Sequence, residues 1–155
     1  MQDSQLRNLS LLSWTMQIWN DHRRGLPQAG HAGPIAYCLQ YHQEWWKDWE
    51  LAEHLGDPSI ASRLIHIHND AAIKTQLERG SPPEIKALYD SLREKGFREF
   101  ECIHTLALAL VEENEHVRVT SDIFVIDRYI ERANRYVKEA LARPNLTRLA
   151  KAKVY

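Results

Sequence analysis

The stretch 64–77, LIHIHNDAAIKTQL, places His66, His68 and Asp70 within about two helical turns of an otherwise apolar segment. At about 100° per residue, His66 and Asp70 fall about 40° apart on one face, close enough for both side chains to share one metal ion or one proton network. Two further segments carry histidine at an apolar position. Cys38, Leu39, His42, Trp45, Trp49 and Ala52 lie close to one helical stripe, so His42 faces an aromatic environment. Glu101 and His104 make a Glu-x-x-His pair on the line that continues through Leu108 and Val111, beside the line Phe100, Ile103, Ala107 and Leu110.

Helical bundles build metal sites from inward carboxylate and imidazole side chains on facing helices. The expected ligand set is His42, His66, Asp70, Glu101 and His104, with His68 and Glu53 as additional donors and with Trp45 and Trp49 lining the cavity. A mixed imidazole and carboxylate shell favours Fe or Mn and admits Zn, and a two-histidine, one-carboxylate subset with open positions suits oxygen chemistry at Fe(II). The leading functional reading is a divalent-metal-binding helical protein, with a non-haem iron or manganese oxidoreductase as its enzymatic form. No substrate is legible. His22 and His31 read as solvated, and the Glu113–His116 pair reads as part of a polar, solvated helix end.

Two alternatives stand beside this reading. In one, the same residues form a buried polar network in a non-catalytic interaction protein, with Trp45, Trp46 and Trp49 partly exposed as a docking surface. In the other, the chain is a divalent-metal-dependent phosphate-ester or nucleotide hydrolase. Glu50 and Glu53 form an ExxE pair, but the ExxD expected on the next helix reads Ile67-His68-Asn69-Asp70, and Asn69 separates His68 from Asp70 where a His-Asp dyad would need them adjacent.

The elements that must position these groups are all helical. Leu9, Leu12, Met16 and Trp19 recur at spacings of three and four in a helix over 5–23. The breaker-rich segment 25–33 is a loop, and Pro34 opens a second helix running to residue 55. Asp57 and Pro58 cap the third, which ends at Gly80, is apolar over most of its circumference and so belongs at the centre of the fold. Ser81 with Glu84 predicts a capping box for a short helix stopped by Gly96. A long helix over 97–116 follows, and a last one carries Ile126, Tyr129, Ile130, Ala133, Val137 and Leu141 before Pro144. The expected architecture is a single all-α domain over 1–144, a bundle of five to six helices around the 57–79 helix, with a basic tail over 145–155.

Length and composition agree with one globular domain: 155 residues, 44% hydrophobic and 26% charged, are enough to bury a core. Twenty basic against twenty-one acidic residues leave a net charge of -1, so no global field draws the chain to nucleic acid or anionic lipid. Cys38 and Cys102 sit among apolar residues and read as small hydrophobes. No apolar run approaches the roughly 18 residues of a membrane span, and the first ten residues lack a basic-then-apolar leader pattern. A soluble, cytoplasmic protein is expected, with a small-molecule substrate and with homo-oligomerisation left open.

The segment 57–92, with His66, Asp70, Ala-Ile-Lys-Thr-Gln-Leu at 72–77 and Pro-Pro-Glu-Ile-Lys-Ala-Leu-Tyr at 82–89, resembles an uncharacterised family of small bacterial all-helical domains. That pattern has a His-x-x-x-His pair before an Ala-Ile-x-x-Gln-Leu run, then Pro-x-x-Ile-x-Ala-Leu-Tyr, then a further inward His and Glu. His66 and His104 match it, Asp70 stands where the second histidine would be, and Leu108 lies near the place of the later Glu. The resemblance covers a third to a half of the chain and implies a shared helical fold without an activity.

Overall fold

The computed structural model describes residues 2–42, 45 and 58–143, with side chains described from residue 10 in the first helix and from residue 62 in the third. Among these residues there are six helices and no strand: α1 Gln2–Arg23, α2 Ala32–Gln40, α3 Pro58–Arg79, α4 Pro83–Glu94, α5 Glu99–Thr120 and α6 Ile126–Ala142. The all-α expectation holds. Two compact units divide the chain, Met1–Ala72 and Ile73–Tyr155, with the boundary inside α3. The expected basic tail lies outside the described residues, and no helix among those described is long and apolar enough to cross a membrane.

In the first unit α1 packs on α2, and Leu12, Ile18, Trp19, Ile35, Leu39, Leu64 and Ile67 are buried. Each such side chain gives about 1.5–3 kcal/mol on leaving water. Thr15, fully buried on α1, donates its hydroxyl hydrogen to Leu11 O at 2.7 Å and contacts His68 Nε2 at 3.1 Å, which ties α1 to α3.

The second helix departs from its expected length. It stops at Gln40, and the chain continues in tighter i→i+3 turns, with Tyr41 N–H on Cys38 O at 3.2 Å, His42 N–H on Leu39 O at 3.0 Å and Trp45 N–H on His42 O at 3.0 Å. Such turns eclipse residues three apart. The turn therefore brings His42 and Trp45 to the same side of the backbone.

In the second unit α4, α5 and α6 pack against one another over Ile85, Leu92, Phe97, Ile103, Leu106, Tyr129, Ala133 and Val137. The end of α3 follows from Gly80. With φ at +63° it adopts the left-handed conformation, its N–H reaches Leu77 O at 3.2 Å, and Ser81 N–H reaches Gln76 O at 3.1 Å. Two carbonyls that the helix end would orphan are thereby satisfied. α4 begins one residue past the expected capping box: Pro82 takes the cap position and no side chain caps it.

The buried carboxylate of this unit is one the sequence reads as solvated. Glu113 is fully buried on α5 and accepts Val125 N–H at 3.1 Å, Arg128 Nη2 at 2.7 Å and Arg132 Nε at 3.1 Å. Arg128 holds its carboxyl far below the usual carboxylate value, at about 2; burial opposes the shift, and the Val125 amide and Arg132 add to it. Beside it Glu112 accepts from Arg132, Arg135 and the Tyr136 hydroxyl. The helix end read as polar all round is a clamp between α5 and α6.

Candidate metal centre

Three of the expected ligands meet within the first unit. His66 and Asp70 are one turn apart on α3, and His42 comes from the turn after α2. His66 Nε2 lies 3.1 Å and His42 Nε2 4.0 Å from the same carboxylate oxygen, Asp70 Oδ2. The two imidazole rings stand edge to face at 82°, 5.0 Å between centroids. Each residue offers one ligand atom, and these atoms lie within 4.8 Å of one another. The group could hold a metal ion.

Burial sharpens the point. Asp70 is 0% exposed, His42 2% and His66 17%. A carboxylate taken out of water costs several kcal/mol unless a cation or a set of hydrogen bonds compensates it. A divalent ion accepting both imidazole lone pairs and the carboxylate answers that cost in one step.

Trp45 is buried and covers His42, its ring parallel to the imidazole within 5° at a centroid distance of 4.1 Å. It also meets the His66 ring nearly edge-on at 5.6 Å, and the Arg63 guanidinium lies over its face at 5.4 Å. Trp45, expected to line the site, lies against both imidazoles. Trp46, Trp49, Glu50 and Glu53 lie outside the described residues.

His68 and Glu101 have partners of their own. His68 is turned to α1: because the Thr15 hydroxyl spends its hydrogen on Leu11 O, Thr15 Oγ1 must accept from His68, so Nε2 carries the proton and offers no lone pair. Burial first, then the proximity of His31, lowers the His68 pKa to about 4, and the ring also stacks on Trp14 at 5.9 Å. Glu101 folds back on the start of α5, where its carboxylate accepts the Arg98 backbone N–H at 2.7 Å and the Arg98 guanidinium at 3.3 Å. This is the reach of a third-residue Glu to the cap amide. It is not among the donors grouped with His42, Asp70 and His66. His104, on α5 in the second unit, is buried with its ring 4.1 Å from that of Phe100.

Arg63 is the functional neighbour that pattern reading misses. Its signal is positional: it precedes His66 by three residues and so shares that face of α3. Comparison of the chain with protein-family models, with curated proteins and with solved structures gives no match.

Proposed function

We propose that the chain is a metalloprotein that binds one divalent first-row ion, Fe(II) or Mn(II), through His42, His66 and Asp70. The observation that carries this reading is the approach of two imidazole nitrogens to one fully buried carboxylate oxygen. Two imidazoles and one carboxylate would leave the remaining positions of the ion to water or substrate; imidazole suits Fe(II) and the carboxylate suits Mn(II). An iron ion so held supports oxidation chemistry with dioxygen, and the aromatic wall of Trp45 keeps bulk water from one side of the His42 ligand. The chain's resemblance to small helical domains with an inward histidine pair is compatible with this role.

Elemental analysis of protein purified without a histidine tag tests the proposal. Near-stoichiometric iron or manganese, lost in His66→Ala, is the expected result. Stoichiometric zinc would correct the ion and close the open positions. Protein that neither carries nor takes up a divalent metal would leave the three residues as a buried polar network. For the oxidative chemistry, nitric oxide added to Fe(II)-loaded protein should give a nitrosyl EPR signal, because the nitrosyl needs an open position.

A further inference from the structure

We infer that Trp45 is the positioning residue for His42, its flat face fixing the plane in which Nε2 presents its lone pair to the ion; the inference rests on the metal-binding reading above. A metal bonds an imidazole in the plane of the ring, so a ligand whose ring turns freely is a poor one. The backbone alone does not fix that plane. His42 lies in a turn beyond the last residue of α2, and the terminal torsion of a histidine side chain is broad.

The indole restrains the ring. Its ring is parallel to the imidazole within 5° and 4.1 Å away. Turning the imidazole through a right angle would bring its ring atoms to about 3 Å from the indole, inside the roughly 3.5 Å at which carbon atoms touch. The ring is held flat. Trp45 is itself braced from α3, by the Arg63 guanidinium over its face at 5.4 Å and by the edge contact with His66 at 5.6 Å. Arg63 and His66 are three residues apart on that helix, so one helical turn both supplies a ligand and holds the residue that aims the other ligand.

The i→i+3 turn makes this arrangement possible. Had α2 continued as an α-helix, residues 42 and 45 would be offset by about 60° around the axis rather than eclipsed.

The test is a Co(II) titration of apo protein followed by the visible ligand-field band, whose intensity reports the geometry of the shell. Trp45→Phe keeps a flat face and should bind within about threefold of wild type with the band unchanged. Trp45→Leu should bind ten- to a hundredfold more weakly, as loss of a ligand-orienting partner does elsewhere, with an altered band and an unchanged far-ultraviolet dichroism spectrum. Trp45→Met makes the same comparison with a more adaptable side chain, so a leucine variant that fails to fold leaves the test in place. Aliphatic variants that bind within threefold and show the wild-type band overturn the inference while leaving the metal reading intact. Wild-type protein that gives no band overturns the metal reading and this inference with it.

Discussion

Removing the metal should lower the melting temperature of wild-type protein and leave that of His66→Ala where it was. A ligand that binds only the native state stabilises it by RT ln(1 + [L]/Kd), about 2.7 kcal/mol when free metal stands at a hundred times Kd. For a chain of this length each kcal/mol moves the midpoint by roughly 2–4 °C, so metal-saturated and chelated wild type should differ by about 5–11 °C. The substitution has a metal-independent cost too. It takes from the buried Asp70 Oδ2 a neighbour at 3.1 Å, which should cost about 1–3 kcal/mol with chelator present. The informative quantity is therefore the metal-dependent increment within each variant, read by calorimetry with and without chelator. His68→Gln serves as the control, because His68 Nε2–H is committed to Thr15, and its increment should match wild type. Equal increments in wild type and His66→Ala would place any bound ion elsewhere. No increment in wild type would refute the reasoning at its root.

Glu113→Gln should destabilise the second unit by about 3–5 kcal/mol in urea unfolding, because it leaves Arg128 and Arg132 facing a neutral amide in a buried site. Since Arg128 lowers the folded carboxyl from 4.5 to about 2, the clamp's contribution is complete above pH 4.5 and is lost as pH falls from there towards 2. Wild type should accordingly lose more stability than Glu113→Gln over that acid window, and parallel pH profiles would refute the assignment. Tyr129→Phe removes the hydroxyl that donates to Gln76 Oε1 at 2.8 Å and should cost about 1 kcal/mol by the same measurement. An unchanged midpoint would mean that water replaces the bond without loss.

What the sequence made legible is local. Helical period identified the all-α class, and Gly80 marked the end of α3 because a residue with φ near +63° can close the helix with two further backbone bonds. His42 and Trp45 were legible as neighbours although α2 ends at Gln40, because residues three apart are neighbours in both an α-helix and an i→i+3 turn; residues 46–55 of the expected helix lie outside the described residues. His66 and Asp70 were legible for the same reason, since a four-residue spacing within one helix needs no knowledge of any other element.

What escaped the sequence is the choice of partner, and three carboxylates show why. Asp70, Glu101 and Glu113 all stand on helices and are all buried, so burial alone assigns none of them. Glu101 reads as a ligand from the line it shares with His104; with the helix starting at Glu99, the same carboxylate falls three places from the cap and accepts the Arg98 amide. Glu113 sits in a run of acidic residues that any composition rule calls solvated, and its partners, Arg128 and Arg132, are fifteen and nineteen residues further on. Only their four-residue spacing on α6 hints that one face of that helix is built to receive an anion. Asp70 differs from both: two imidazoles approach its Oδ2, and an imidazole is neutral in one protonation state and cationic in the other. Imidazole and carboxylate are also donor types that a divalent ion takes, which is why this carboxylate, and neither of the others, carries the metal proposal.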